Sequence, residues 1–334
     1  MILKILSLVY GAIIKYRNSK FDNGKAIIKH VDGVKVICVG NITAGGTGKT
    51  PAVQYFINKV MMEGKKAAVV SRGYGGKRKK SSEPLLVSDG KMIFCSPKES
   101  GDESYLHSKV LKCPVIVSTD RYSGIKYAKE KFNVDIVVLD DGFQHRQAYR
   151  DEDIILIDAT NPFGNDELLP LGYLREPLEG LKRASKFIIT RSDIVSKQEI
   201  DYIKNRLCKF EKPIYLACYK TGEIYNILKI EKKIEIKDKK VLLLSGIGNP
   251  ANFKQSVLKL DGIICSILNY KDHYNYKYSD LTKIKEEFKK SGAEYIITTE
   301  KDMVKLIQND LKELVDYIFV LKIEFEILED KDEF

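Results

Sequence analysis

Residues 34–50 constrain the fold more than any other stretch of the chain. An apolar run at 36–39 leads into the sequence GNITAGGTGKT, which begins at Gly40 and ends at Thr50. Its second half fits the phosphate-binding pattern GxxxxGK(S/T), except that Thr43 stands where the first glycine usually falls. Pro51 and apolar residues at helical spacing follow. The stretch predicts a buried strand, a phosphate-binding loop and the first turn of a helix.

This loop also predicts how a nucleotide is held. Its glycines allow consecutive N–H groups to point at a phosphate chain, and the dipole of the new helix favours the same anion. Lys49 is placed to reach the β- and γ-phosphates, and the Thr50 hydroxyl to hold Mg²⁺. The predicted nucleotide-binding residues are Gly45, Gly46, Thr47, Gly48, Lys49 and Thr50. A glycine-rich connection that binds nothing is the alternative, and the Lys-Thr pair between strand and helix disfavours it.

The sequence after the loop predicts an α/β fold. Apolar runs alternate with helical patterns, and these runs lie at 67–71, 114–118, 134–140, 154–158 and 187–190. Continuous apolar strands of this kind are typical of a parallel sheet covered by helices on both faces. Ligands bind at the carboxyl ends of such strands, so the residues just past each run are the candidates for a site.

Charged residues follow two of these runs. Arg72 begins the sequence RGYGG and is expected near the nucleotide or the acceptor, whereas the basic run 77–80 is interpreted as a solvated loop or a contact with anionic lipid. Asp140 and Asp141 begin DDGFQH, beside the predicted phosphate loop. Adjacent carboxylates at this position are where a phosphate-loop protein anchors Mg²⁺. A plain strand-ending turn is the alternative.

Three further motifs have weaker signals. Asp102 lies in SGDE, which also fits a helix capping box. Arg175 and Glu176 stand between prolines in the loop 168–177, where the arginine either neutralises a phosphoryl group or forms a surface salt bridge. The sequence TRSD at 190–193 faintly resembles a guanine-recognition motif, with arginine in place of lysine.

The second half of the chain changes character at residue 214. Two strand-like stretches, 224–230 and 233–236, predict a β-linker. A second alternation follows, with strands near 240–244, 263–268, 295–298 and 317–321, helices near 252–259, 281–290 and 303–314, and an edge strand at 323–327. His273 lies in a loop, where a lone histidine is usually just solvated.

Residues 1–14 predict an amphipathic helix with a wide apolar face. The small or polar positions Lys4, Ser7, Gly11 and Lys15 form one stripe, and the apolar stretch 5–14 is shorter than the roughly 20 residues that span a bilayer. The helix either lies in a membrane interface or docks on the protein's own core.

Composition limits the partners. The net charge of +10 favours anionic ones, such as phosphates or acidic lipid, but the chain has no aromatic-rich basic motif typical of a nucleic-acid reader. The six cysteines have no CxxC spacing, so we expect reduced thiols in a cytosolic compartment rather than disulfides or a zinc site.

Taken in order, these motifs resemble those of one family, the tetraacyldisaccharide 4'-kinases, which phosphorylate the lipid A disaccharide. The likeness runs from the N-terminal helix through GNITAGGTGKTP, SRGYGG, GDE, LDDGFQH, LPLGYLREP and DHY to TTEKD. The main departures are Lys271, where proline is expected before Asp-His, and the acidic tail.

The resemblance implies a fold and a domain organisation. A P-loop NTPase-like parallel-sheet domain is joined by a two-stranded β-linker to a smaller second α/β domain, and an amphipathic helix precedes both. The expected boundaries are 1–20 for the membrane-interface helix, 21–213 for the kinase domain, 214–238 for the linker and 239–334 for the second domain.

The resemblance also implies roles for residues. Lys49 and Thr50 hold phosphate and Mg²⁺, and Asp140 and Asp141 belong to the metal site. Asp102 becomes the general base, assisted by His273, and Arg175 meets the charge of the transferred group. The cleft is lined by Arg72, Arg121, Gln144, His145, Arg175 and Glu176.

The activity implied is transfer of the γ-phosphate of ATP, with Mg²⁺, to the 4'-hydroxyl of an acylated glucosamine disaccharide 1-phosphate. The expected location is peripheral, at the cytoplasmic face of the inner membrane, with a lipid surface and no nucleic acid as partners. No protein partner is indicated. The alternative is a phosphate-loop GTPase or ATPase that acts as an assembly or metal-delivery switch, and comparison of GTP with ATP hydrolysis distinguishes the two.

Overall fold

The structure, a computed structural model, describes residues 2–45, 48–77, 83–272 and 274–328. By its internal packing the chain divides into two compact units. The first takes in residues up to 100, residues 107–219 and those from 325 onward, and the second takes in 101–106 and 220–324. The domain boundaries expected from the sequence stay predictions.

The first unit contains the phosphate-loop stretch. Its helices and strands, in chain order, are α1 Ile2–Asp22, β1 Lys35–Asn41, α2 Lys49–Met62, β2 Ala67–Ser71, β3 Leu85–Asp89, α3 Pro97–Ser100, the part of α4 Asp102–Val110 from residue 107, β4 Pro114–Val117, α5 Arg121–Phe132, β5 Ile136–Asp140, β6 Glu152–Asp158, β7 Lys186–Thr190, α6 Lys197–Leu207 and the start of β8 Ile214–Asn226.

The sheet of this unit has the strand order β8-β7-β6-β1-β5-β2-β4-β3. All of its pairings are parallel except that of β3 with β4, which is antiparallel. β1 lies at the centre, between β5 and β6, and all of it except Lys35 is buried. The predicted parallel sheet is therefore confirmed, and the edge strand β3 was not predicted.

Apolar clusters cover both faces of this sheet. Leu139, Phe143 and Phe187 belong to one cluster, and Val138 and Ile57 of α2 belong to the other. Adjacent residues of β5 point to opposite faces because side chains alternate along a strand. This burial fixes the carboxyl end of β5 beside the end of β1. Asp140 is the last residue of β5, and Asp141 follows it.

The second unit contains the remaining elements. They are the end of β8, β9 Lys233–Ile234, β10 Lys240–Ser245, α7 Pro250–Leu258, β11 Ile263–Asn269, α8 Tyr278–Ser291, β12 Tyr295–Thr299, α9 Glu300–Leu306 and most of β13 Ile318–Ile327. Its strand order is β11-β10-β12-β13-β8, and β9 pairs antiparallel with β8.

Three sequence expectations for this half were wrong. The strand predicted at 224–230 belongs to β8, which begins at Ile214 and ends at Asn226. The stretches 317–321 and 323–327 form one strand, β13, which lies between β12 and β8, so the edge of this part of the sheet is β11. The helix expected at 303–314 is α9, which ends at Leu306. Asn309 and Asp310 follow and favour turns over helix.

Candidate active site

The phosphate loop joins β1 to α2, as the sequence predicts. Gly45 and Gly48 have positive φ angles of 116° and 75°, and Gly48 precedes the first residue of α2. The Tyr219 hydroxyl donates a hydrogen bond of 3.1 Å to the Gly48 carbonyl. A Cβ atom on Gly48 would lie 1.8 Å from that hydroxyl, so a side chain there would have to displace Tyr219 and adopt a backbone conformation that favours glycine. Gly46 and Thr47 lie outside the described residues.

Lys49 begins α2 and is 9% exposed. Its ammonium donates to Asn41 Oδ1 at 3.3 Å and lies 3.7 Å from Asp141 Oδ1. Thr50 follows it in the first turn and is half-buried. The lysine and the hydroxyl therefore stand where the sequence pattern places them, at the amino end of the helix.

Asp141 and Arg175 form an ion pair beside Lys49. Arg175 Nη1 donates to both carboxylate oxygens of Asp141, at 2.9 and 2.8 Å. Burial alone would raise the pKa of Asp141, but the positive charges of Lys49 and Arg175 outweigh burial and hold that pKa below its usual range. Asp141 is therefore ionised at neutral pH.

Asp140, the last residue of β5, has a partner that the sequence did not reveal. His107 of α4 lies with Nε2 3.2 Å from Asp140 Oδ2, and the two side chains are 0% and 3% exposed. The other carboxylate oxygen, Oδ1, is buried without a hydrogen-bond partner among the described residues. A buried carboxylate oxygen in this state is a ready ligand for a cation.

Glu176 is fully buried. Its carboxylate accepts hydrogen bonds from Arg183 Nη2 at 2.9 and 2.8 Å, from Gln144 Nε2 at 3.1 Å and from Asn18 Nδ2 at 3.0 Å. Gln144 Nε2 also donates to the Asn41 carbonyl at 2.9 Å. The predicted cleft residues Gln144 and Glu176 thus connect to the end of β1.

Arg121 and His145 lie together near the carboxyl end of β4. Arg121 is 3% exposed and donates to the Ser118 and Thr119 carbonyls at 3.0 and 3.3 Å. Burial, and after it the Arg121 charge, lowers the pKa of His145 to about 4, so His145 is neutral at pH 7. Arg72 is exposed, and its charge helps burial to lower the pKa of Arg121.

The remaining predicted residues are placed as follows. Asp102 is the first residue of α4 and is half-buried, within the second unit. His273 and residues 78–80 of the basic run lie outside the described residues. In TRSD, Arg191 pairs with Asp158 and lies 5.6 Å from the centroid of the Tyr219 ring.

The acidic residues of the motif TTEKD accept hydrogen bonds within the second unit. Asp302 is fully buried and accepts hydrogen bonds from the Gly246 amide and the Tyr276 hydroxyl, both at 3.0 Å. Glu300 is buried and accepts from the Tyr225 hydroxyl at 3.3 Å. These contacts tie the start of α9 to the loops that contain Gly246 and Tyr276 and to strand β8.

Helix α1 docks on the loop that carries Arg175 and Glu176. The Ser7 hydroxyl donates to the Leu168 carbonyl at 2.9 Å, and the Tyr10 hydroxyl donates to the Arg175 carbonyl at 2.7 Å. Gly11 also faces Leu168, and a Cβ atom added to Gly11 would lie 2.8 Å from Leu168 Cδ1. Part of the stripe of small and polar residues predicted from the sequence therefore faces the protein.

The opposite face of α1 is apolar and exposed. The side chains on it, between 49% and 72% exposed, are Ile2, Leu3, Ile5, Leu6, Leu8, Val9 and Ile13. The docking alternative therefore holds for one face of the helix, and the membrane-interface alternative stays a prediction for the exposed face. Among the described residues no helix is long and apolar enough to cross a membrane.

A parallel α/β sheet with a phosphate loop at its centre, and with carboxylates and arginine beside the loop lysine, defines the class of phosphate-loop nucleotide-binding proteins. Comparison with known proteins narrows the class. The family model of tetraacyldisaccharide-1-P 4'-kinase matches residues 1–334, and the chain belongs to this family.

Relatives and a solved structure agree with this assignment. The chain is 37% identical to the tetraacyldisaccharide 4'-kinase of Halothermothrix orenii, over 98% of this chain and 88% of that one. It is 36% identical to the enzyme of that name from Desulfotalea psychrophila, over 90% and 86%. A crystal structure of LpxK from Aquifex aeolicus in complex with ATP is similar, with a TM-score of 0.77, 30% identity and coverage of 98% and 94%. The predicted fold class and the predicted kinase class are confirmed.

Proposed function

We propose that this protein transfers the γ-phosphate of ATP to the 4'-hydroxyl of a tetraacyl-disaccharide 1-phosphate and yields the 1,4'-bisphosphate at a membrane surface. One observation carries the proposal. In a chain of this family, Lys49, Asp141 and Arg175 form a connected cluster at the phosphate loop, with distances of 3.7 and 2.8 Å. Phosphoryl transfer requires positive charge at this place.

The loop residues have distinct tasks in this proposal. The glycine backbone from Gly45 to Gly48 and the amino end of α2 bind the phosphates, and Lys49 contacts the β- and γ-phosphates. Asn41 and Asp141 orient the Lys49 ammonium through the contacts described above. The bond to Asp141 orients Arg175, whose charge would stabilise the oxygens of the transferred phosphoryl group.

The residues present fit a Mg²⁺ ion. Asp140 offers a buried carboxylate oxygen without a hydrogen-bond partner among the described residues, and Thr50 and Asp141 supply further hard oxygen atoms. The described residues contain no group of three or more His, Cys, Asp or Glu side chains that could hold a metal. In such sites Mg²⁺ keeps water and phosphate oxygens as its further ligands. When bound, the ion neutralises charge on the phosphates.

Two residues would handle the proton of the acceptor. Asp102 takes it from the sugar hydroxyl as the bond to phosphorus forms, and His273 assists the carboxylate. Both assignments rest on the family resemblance.

A membrane surface is the proposed place of work. The exposed apolar face of α1 would enter the lipid interface, and the net charge of +10 favours anionic head groups. The protein is then peripheral, at the cytoplasmic face of the inner membrane, where it meets its acylated acceptor. The proposal includes no nucleic acid.

The test is transfer of label from γ-labelled ATP, with Mg²⁺, to the acylated disaccharide 1-phosphate in mixed micelles. We expect label in the lipid, and none with Lys49→Ala. GTP in place of ATP gives the comparison with the switch alternative. Nucleotide hydrolysis without label in the lipid would reject the kinase proposal in favour of that alternative.

A further inference from the structure

Helix α1 contacts two adjacent residues of the site. The Tyr10 hydroxyl donates to the Arg175 carbonyl at 2.7 Å, and the Asn18 amide donates to Glu176 Oε2 at 3.0 Å. Burial is the largest influence on the pKa of Tyr10 and raises it, so the hydroxyl stays protonated and can donate. The helix that carries the exposed apolar face therefore holds the loop at the point where the arginine projects.

Both contacts continue inward to Lys49. On one branch, the Arg175 guanidinium binds Asp141, and Asp141 lies 3.7 Å from the Lys49 ammonium. On the other branch, Glu176 accepts from Gln144, which also donates to the Asn41 carbonyl. The branches meet at the lysine, because Asn41 Oδ1 accepts from the ammonium at 3.3 Å.

The second branch is a continuous chain of hydrogen bonds around a buried carboxylate. Glu176 is 0% exposed and has hydrogen bonds from Arg183, Gln144 and Asn18. The two N–H groups of the Gln144 amide have two acceptors, Asn41 O and Glu176 Oε1. In a buried network of this kind each bond restricts the position of the next, and loss of one donor leaves a buried charge less well compensated.

We infer that Tyr10 and Asn18 are positioning residues for phosphoryl transfer, acting through Arg175 and Glu176, so that α1 belongs to the catalytic scaffold as well as to the membrane-binding surface. The inference rests on the proposed function and adds residues to it. It differs from the view of α1 as an anchor alone, because an anchor affects how much lipid is reached and leaves the rate at saturation unchanged.

Tyr10→Phe tests the inference, since it removes one hydroxyl and keeps the ring. We expect kcat to fall roughly 2- to 10-fold, the effect of losing one hydrogen bond, with the KM values for ATP and lipid unchanged. Binding to vesicles of anionic phospholipid and the thermal midpoint should match the wild type. Tyr202→Phe is the matched control, because that hydroxyl accepts from Arg206 at 3.0 Å on a different helix, and it should keep the wild-type kcat.

Asn18→Ala provides an independent measurement on the other branch and covers the case in which Tyr10→Phe does not fold. It should also lower kcat with vesicle binding unchanged. Wild-type kcat in both variants would overturn the inference, as would a loss that saturating lipid restores. A wild-type protein that transfers no label would instead reject the proposed function, so the two failures are distinguishable.

Discussion

The Asp141 carboxylate lies between two cations, Arg175 at 2.8 Å and Lys49 at 3.7 Å. An ionised aspartate that is partly buried is stable only with such partners. Asp141 also keeps the positive charges of Lys49 and Arg175 close to each other when no phosphate is bound. Binding of a nucleotide would add negative charge beside these two cations.

The depressed pKa of His145 predicts how the stability of the protein depends on pH. The pKa is about 4 in the folded protein and 6.5 as the reference value, so between these pH values the unfolded chain binds a proton that the folded protein does not. Stability should therefore fall as the pH is lowered from about 6.5 to 4, by about 3 kcal/mol from this residue. The charged groups that face it are Arg121, Asp120 and Arg150.

The measurement is chemical unfolding of the wild type and of His145→Gln at pH 7 and pH 5. Between pH 7 and pH 5, the free energy of unfolding should fall less in His145→Gln than in the wild type. Equal losses in both proteins would contradict the assigned pKa. His30→Gln is the control, because that side chain is 50% exposed.

The role of Asp102 is testable by Asp102→Asn. Removal of the charge should abolish most turnover because the acceptor hydroxyl loses its base, typically 10²- to 10⁴-fold. ATP binding should persist, since the phosphate loop is intact. Turnover in mixed micelles and nucleotide binding by calorimetry are measured on the same protein. Glu130→Gln, on the exposed side of α5, is the control, and a fully active Asp102→Asn would reject the base assignment.

At the scale of elements, α1 combines two surfaces on one helix of 21 residues. The sequence predicted its amphipathic character because polar and small residues recur at helical spacing. It did not indicate which face docks, since Ser7 and Tyr10 find their acceptors more than 160 residues away along the chain. Deletion of 1–14 would remove these contacts together with the apolar face, so substitutions on the exposed face give the cleaner test.

Leu8→Ser and Ile5→Ser together should weaken membrane binding. Both side chains are more than half exposed, and each would bury apolar surface in the lipid interface. We expect binding to anionic vesicles to fall at least tenfold, because loss of two such side chains costs roughly 2 kcal/mol or more. The thermal midpoint should stay unchanged. Ile27→Ser, 78% exposed but outside the helix, is the control, and full vesicle binding by the double variant would contradict the membrane role of this face.

Strands with short or interrupted apolar runs were the hardest to predict. The central strands β1 and β5 are buried on both faces and have continuous apolar sequences, so periodicity revealed them. Strand β3 pairs with β4 and ends in Ser88 and Asp89, which favour turns, and it was missed. Strand β13 was divided in two because the charged Lys322 interrupts its apolar run between 317–321 and 323–327, although the backbone continues through it.

At the scale of the whole molecule, the sequence predicted which motifs carry chemistry and that Asp140 and Asp141 lie beside the phosphate loop, but not the individual contacts between side chains. The strand order places β5 beside β1, and that neighbourhood brings Asp141 to Lys49. The bonds from Arg175 to Asp141 and from Asn18 to Glu176 span 34 and 158 residues. Pairings over such separations depend on the complete fold, so local patterns do not contain them. His107 was likewise missed, because only the fold brings its helix against β5.

Nucleotide binding should stabilise the folded chain. A ligand that binds only the folded state at 100 times its Kd adds about 2.7 kcal/mol, which corresponds to roughly 5–10 °C for a unit of this size. Thermal unfolding with and without Mg²⁺ and ATP measures the shift. Lys49→Ala should lose most of it because the phosphates lose their cation, while Lys65→Ala, with an exposed ammonium, should keep it. An equal shift in Lys49→Ala would contradict binding at this loop.

The hydroxyl of Tyr219 closes on Gly48 from 171 positions later in the sequence. During synthesis the amino-terminal strands leave the ribosome first. The phosphate loop therefore lacks its contact with Tyr219 until residue 219 has been made. The nucleotide cradle is therefore completed late, after β7 has been made and the following strand has begun to pair. Acquisition of ATP binding by nascent chains of increasing length would report when this unit of the protein has folded.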